Sequence, residues 1–165
     1  MDVQELIKQH MSKAYSLAYG MAGNQGEAED VVQECALKVI LKASLYDETL
    51  PFWPWFARII RNTILDRFRR EAKMSSLDEN SGQLTMKEPG LDAIVEIAQT
   101  QESLNASLAK LDAQSRMVVV LVDIQGHSYQ EAAQILSCPI STVGVWLHRA
   151  RKELKFHLVA DGVEL

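Results

Sequence analysis

An all-α fold, two small helical domains joined by a flexible acidic linker, follows from three features of the sequence. Apolar residues recur at intervals of three and four over most of the chain, the spacing of one helix face. No segment alternates apolar and polar residues convincingly enough to read as a strand. Near the middle, Met74 to Pro89 is rich in serine, glycine, asparagine and acids and loses the periodicity, the signature of a linker.

Val3, Leu6, Ile7, Met11, Ala14, Leu17 and Ala18 define the first helix, and Gly20, Gly23, Asn24 and Gly26 read as its end. Ala28, Val31, Val32, Cys35, Val39 and Ile40 define a second helix of similar length. Tyr46 to Pro51 is turn-like. A third helix is expected from Pro54, because proline suits the first helical turn, to about Ala72. Phe52, Phe56, Ile59 and Thr63 share one of its faces, and Trp53, Ala57, Ile60 and Ile64 share another. Most of these aromatics are expected in the core, with Trp53, beside the loop, the one expected to be partly exposed. Further helices are expected from about 91 to 108 and from 113 to 124.

The segment Ser128 to Lys155 is the most informative. Ser128-Tyr129-Gln130-Glu131 is a capping box, in which the serine oxygen accepts the Glu131 amide and the glutamate reaches back. Ala132, Ala133, Ile135 and Leu136 give this helix its buried side. Cys138-Pro139 interrupts it, since proline lacks an amide donor and biases the preceding residue away from helical angles. A second helix therefore starts near Ile140. Val143, Leu147, Ala150 and Leu154 form its apolar stripe, and Val145, His148, Arg149 and Lys152 occupy the opposite side. Two short helices so arranged match a helix-turn-helix that lays its second helix in the major groove. An ordinary helical hairpin with a solvated charged face is the other reading.

A length of 165 residues accommodates one medium domain or two small ones. Hydrophobic residues at 47% and charged residues at 24% are ordinary for a soluble protein. No apolar run approaches a membrane span and no secretory leader opens the chain, so a cytoplasmic protein with no membrane insertion is expected. Cys35 and Cys138 have no metal-ligand spacing and are expected as buried free thiols; no metal site or cofactor is expected. His10, His127, His148 and His157 are scattered, and no phosphate-binding glycine loop or nucleophile motif is present, so enzymatic function is not expected.

The net charge of −5 is unevenly spread. Residues 1–50 hold eight acids against four bases, and residues 76–103 hold six acids against one base. Residues 54–73 instead carry Arg58, Arg61, Arg67, Arg69, Arg70 and Lys73 against Asp66 and Glu71. Two basic surfaces, on the third helix and on the last, therefore stand on an acidic body, and each suits a phosphate backbone. An exposed aromatic beside arginines can in addition stack an unpaired base.

Three motifs then resemble one family in order and spacing. They are Ala28-Glu29-Asp30-Val31-Val32-Gln33-Glu34, Trp55 to Arg67, and Ser128 to Ala133 with Leu147-His148-Arg149-Ala150-Arg151. The chain resembles, over nearly its whole length, a bacterial RNA polymerase sigma factor of the extracytoplasmic-function (ECF, group IV) subfamily. The resemblance implies a region 2 domain over 1–73, an acidic linker over 74–103 and a region 4 domain over 104–160, the last a four-helix, winged-helix-like unit containing the helix-turn-helix.

The resemblance also implies roles. Asp30, Gln33 and Glu34 match positions that dock on core RNA polymerase, although a solvated helix face accounts for them equally. Tyr46 to Phe52 matches the loop that captures a flipped base of the −10 element, and Asn62 matches a polar reader of that element. Trp53, Arg58, Arg61, Arg67, Arg69 and Arg70 complete the set expected at −10 DNA. Ser141, Thr142, Val145, His148, Arg149, Arg151 and Lys152 are the set expected at the −35 element. The linker resembles the segment that threads the polymerase toward its active site, and a plain flexible spacer is the other reading. An anti-sigma factor is implied as a partner beside core polymerase and promoter DNA.

This chain departs from the family pattern at Gly144, Val145 and Trp146, where typical members carry a basic residue, a serine and an arginine. A helical glycine costs about 0.5 to 1 kcal/mol relative to alanine, and two missing cations flatten the salt dependence of DNA binding. Val145 on the outward face suits a thymine methyl. Two rival readings stand beside promoter recognition: a sigma-like module that binds an anti-sigma factor or polymerase without reading promoters, and a dimeric regulator with a terminal helix-turn-helix.

Overall fold

The computed structural model describes residues 2–77 and 96–160, and the core of the expected linker, 78–95, lies outside these. Among the described residues there are seven α-helices and no strand: α1 (Val3–Ala22), α2 (Gln25–Leu41), α3 (Phe52–Leu77), α4 (Glu96–Lys110), α5 (Ala113–Val119), α6 (Tyr129–Leu136) and α7 (Ile140–Ala160). A 3-10 turn, Ala43–Leu45, follows α2, and a π-helical turn, Val120–Ile124, continues α5. The all-α expectation holds, with α1 to α3 forming one cluster and α4 to α7 the other.

Local chemistry sets the helix ends. The Asp2 side chain accepts the Gln4 amide at 3.0 Å to start α1, and Gly23 closes the helix at φ 79°, donating its amide to the Tyr19 carbonyl. Asn24 then caps α2 by accepting the Glu27 amide at 2.8 Å. Gly20 and Gly26, read from sequence as part of a helix end, instead lie inside α1 and α2. The reason is that a single left-handed residue, Gly23, suffices to reverse the chain. The third helix begins at Phe52, two residues before Pro54, and runs on to Leu77. Proline tolerates this position because first-turn amides need no intrahelical acceptor.

The first cluster packs Ala14, Leu17, Ala18 and Met21 of α1 against Val31, Val32, Cys35 and Val39 of α2 and Phe56 and Ile60 of α3, all 3% exposed or less. Thr63, also buried, donates its hydroxyl to the Ile59 carbonyl at 2.8 Å and accepts Lys38 Nζ at 2.8 Å, tying α2 to α3. Burial pushes the Cys35 thiol up to about 11, so it packs as a small apolar group. Cys138 is only partly buried, because the turn between α6 and α7 carries it at the surface of a cleft.

In the second cluster the capping box forms as expected: Glu131 N to Ser128 Oγ is 3.0 Å and Ser128 N to Glu131 Oε1 is 3.2 Å. Ser137 in the left-handed region ends α6 one residue before Cys138-Pro139. Val143, Leu147 and Ala150 of the expected α7 stripe are fully buried against α6 and α5, and Leu154, its fourth member, is only partly buried against the core.

The two clusters share one continuous hydrophobic core. Gly20 of α1 lets Val120 approach so closely that a Cβ there would sit 2.8 Å from both of its methyls. Arg116 of α5 reaches the Met21 carbonyl of α1, and Asn105 of α4 donates to the Tyr19 hydroxyl at 3.0 Å.

Candidate nucleic-acid interface

Asp30 and Gln33 stand exposed on α2, one helical turn apart, on the same side as half-buried Glu34. Glu34 is engaged within the chain, accepting Arg67 Nη2 at 2.8 Å and Lys38 Nζ at 3.1 Å. The Arg67 guanidinium holds its carboxyl below the usual carboxylate range. Beyond this acidic edge, Leu37, Leu41 and Leu45 are exposed.

The loop before α3 is shaped by its own polar groups. Asp47 Oδ1 accepts the Thr49 amide at 2.9 Å and the Thr49 hydroxyl at 2.6 Å, and Tyr46 donates its hydroxyl to the Leu50 carbonyl at 2.6 Å. Tyr46 lies on Trp55, ring centroids 5.0 Å apart, and meets Phe52 edge-on. Within this loop and the start of α3, the half-buried Tyr46–Trp55 pair is thus the aromatic surface nearest the solvent.

Trp53 is not partly exposed as the sequence reading expected: only 5% of its surface is accessible. Its face of α3 is covered by the second cluster. His10 and His127 lie parallel to it on opposite elements, Lys13 Nζ stands 5.2 Å from its ring centroid, and its Nε1–H donates to His127 Nε2 at 3.1 Å. Phe52 is equally buried.

The arginines of α3 divide into two groups. Arg61 donates Nη1 to the Ile135 carbonyl at 2.9 Å, satisfying a last-turn acceptor of α6 that has no intrahelical partner. Burial, with Arg58 alongside, pulls its guanidinium below the usual range. Arg58 is half-buried and lines a cleft with Gln130, Gln134, Cys138 and Ile140. Arg67 is held by Glu34, whereas Asn62, Arg69 and Arg70 are exposed, Arg70 pairing with Asp66 at 2.8 Å.

On α7 the outward set is arranged as the periodicity requires. Ser141, Val145, His148, Arg149, Arg151 and Lys152 are exposed and Thr142 half-buried. Arg151 is gripped from the side by Asp123 of the π turn, Nε and Nη2 reaching the two carboxylate oxygens at 3.0 and 2.6 Å. Trp146 packs against the core from the flank, and Gly144 faces the Tyr129 ring at ordinary contact distance.

Two residues without an assigned role in the sequence reading turn out to organise the site. His127, 6% exposed, takes the Trp53 proton donor on Nε2, which fixes its own proton on Nδ1, 3.4 Å from Glu131 Oε2. Burial keeps the imidazole below its usual titration range, outweighing Glu131, and Lys13 acts in the same sense as burial. The neutral form is therefore the one the fold selects. Its stabilisation is complete above the ordinary imidazole value of about 6.5 and is lost as pH falls through the lower folded value. Urea midpoints compared at pH 7.5 and 5.5 should fall further for the natural chain than for His127→Gln; equal falls would remove His127 from this role. Arg116 is the second, bonding carbonyls at the ends of two helices.

Residues 6–74 match the family Sigma-70 region 2, and residues 101–154 match Sigma-70, region 4. The chain is 34% identical to the ECF RNA polymerase sigma factor SigE of Mycolicibacterium smegmatis, the match covering 97% of this chain and 63% of that protein. It is 31% identical to the ECF RNA polymerase sigma factor SigW of Bacillus subtilis, over 93% of this chain and 87% of that one. Among solved structures, CnrH in complex with the cytosolic domain of CnrY superposes with a TM-score of 0.70 at 27% identity, covering 97% of this chain and 89% of that chain.

Proposed function

Since the chain belongs to the extracytoplasmic-function sigma factors of bacterial RNA polymerase, we propose that it binds core polymerase and directs initiation at promoters carrying −10 and −35 elements. Such factors are non-catalytic subunits that act in the cytoplasm. In this chain the first domain, residues 1–73, docks on polymerase through Asp30, Gln33 and Glu34 and opens the −10 element with the loop Tyr46 to Phe52, Asn62 and the α3 arginines. Residues 104–160 place α7 on the −35 element, and the acidic linker joins the two. The observation that carries this reading is the pair of basic faces, on α3 and α7, set on an otherwise acidic chain with the region 2 and region 4 motifs in order. The complex of CnrH with the cytosolic domain of CnrY supports a protein partner beside polymerase, which in this reading is an anti-sigma factor.

Run-off transcription from a promoter-bearing template with purified core polymerase tests the proposal. A transcript that depends on adding this chain alone is expected. Polymerase binding without any transcript, on templates drawn from the whole genome of the source, would favour the module that does not read promoters. That second reading has its own support: Arg61, Arg67 and Arg151 are engaged within the chain, and Gly144-Val145-Trp146 supplies no cation.

A further inference from the structure

The cleft lined by Arg58 of α3, by α6 and by the turn into α7 carries positive charge and no carboxylate. Its volume is about 590 Å³, within the range of small-molecule sites, and it is open on one side. Arg58 Nε is buried without a partner, and among the described residues no acceptor or acid meets its guanidinium. A half-buried guanidinium in that state is unusual, because buried donors find acceptors in nearly every folded chain. Arg61, one turn further along α3, stands close enough to feel the charge of Arg58 and commits only Nη1, to the Ile135 carbonyl. Two adjacent cations without a counterion repel, and an anion between them removes that cost. From α6, Gln130 and Gln134 enter the lining one turn apart, both exposed. Pro139 and Ile140 give it an apolar wall, Ile140 being 51% exposed.

We propose that this cleft binds a free nucleoside di- or triphosphate, with the phosphates on Arg58 and Arg61 and the base against Pro139 and Ile140. Each part of such a ligand has a counterpart. A diphosphate neutralises both guanidinium groups, where a single carboxylate would neutralise one. The carboxamides of Gln130 and Gln134 each donate and accept, which the edge of a base requires. Inorganic phosphate would occupy a small part of the volume and leave the wall bare. A DNA duplex presents one charge per phosphodiester and keeps its bases stacked, so it would leave the wall and the carboxamides unused as well. The site rests on the lining residues of this chain and holds whether or not α3 reads promoter DNA.

Isothermal titration of the full chain with ADP in EDTA tests the site. One saturable site with a dissociation constant below about 1 mM is expected. ADP should bind at least about tenfold more tightly than inorganic phosphate, which meets the cations alone. Gln134→Glu sets a carboxylate in the lining, at an exposed helical position that glutamate suits, and should weaken ADP at least about tenfold while the fold is kept. Arg58→Gln should do the same. Lys8→Gln removes an equal charge from the exposed side of α1 and should leave the affinity within about twofold. Absence of saturable ADP binding would overturn the proposal, as would equal affinities for ADP and phosphate. Full affinity in Gln134→Glu would overturn it too, and so would an equal loss in Lys8→Gln, the mark of a general charge effect. Should Arg58→Gln lose its helical circular dichroism, Gln134→Glu decides alone. A short duplex whose binding is lost in Gln134→Glu, with no ADP bound, would overturn the nucleotide in favour of a backbone phosphate. The titration needs no polymerase, and run-off transcription with the natural chain judges the sigma reading independently.

Discussion

Replacing Arg116 by methionine should lower the stability of the chain by about 3 kcal/mol. This side chain holds together four helices. Its Nη1 donates to the Met21 carbonyl at 2.5 Å, and its Nη2 is shared between the Ala109 and Leu111 carbonyls, both at 3.1 Å. Met21 lies in the last turn of α1 and Ala109 in the last turn of α4, where four carbonyls have no intrahelical donor. One cation at two helix C-termini also meets the negative ends of two dipoles. The aliphatic stem and guanidinium lie over Phe68, 5.1 Å from the ring centroid, so α3 is engaged as well.

Against these gains stands desolvation, which lowers the guanidinium's proton affinity and leaves Nε buried without a partner. Three charge-assisted bonds at about 1.5 kcal/mol or more each outweigh that penalty. Methionine keeps the packing on Phe68 while removing every donor, so its effect isolates the hydrogen bonds. For a chain of this length the melting temperature should fall by about 6 to 12 °C. Lysine, a single point donor without the planar fork, should recover less than half of the loss. A urea titration in which methionine costs under about 1 kcal/mol would show that water satisfies these carbonyls equally well.

Arg116 also marks the boundary of what sequence reveals. Periodicity identifies an apolar face but not the element that covers it. The capping box at Ser128, the stripe Val143, Leu147, Ala150 and the basic run of α3 are encoded within a few residues of one another, and all were legible. Trp53 was misread because its partner, His127, lies 74 residues away, and nothing near Trp53 announces a second domain. Arg116 likewise satisfies carbonyls up to 95 residues distant and looks, in sequence, like any helical surface cation.

One signal of the domain contact was nevertheless present. Gly20 interrupts an otherwise regular apolar pattern at a helical position where glycine is unfavourable by up to about 1 kcal/mol. Such a residue inside a helix calls for a close neighbour, and Val120 is that neighbour. Taking Gly20 together with Gly23 as a helix end concealed it. The departures at Gly144 and Val145 were legible as departures, and their consequence depends on DNA geometry that no intramolecular contact encodes.

On the last helix, Arg149→Ala with Lys152→Ala should weaken −35 binding by the holoenzyme on the order of 10- to 100-fold at low salt. The dependence of log K on log salt should become shallower by about two units. Both side chains are exposed on the outward face of α7, and among the described residues neither has an ion-pair partner, so each can release a counterion from the phosphate backbone. Arg151 is one residue from Lys152 but differs physically, since Asp123 already neutralises it through two short bonds and raises its proton affinity. Bringing Arg151 to a phosphate would require breaking that pair, a loss that offsets most of the gain. Arg151→Ala should therefore leave the salt slope nearly unchanged and instead loosen α7 from the π turn by no more than about 1 kcal/mol, the range of a solvent-accessible pair. Filter binding over a salt series distinguishes the two classes. If Arg151→Ala flattened the slope as much as Arg149→Ala, Asp123 would have to surrender its arginine on DNA.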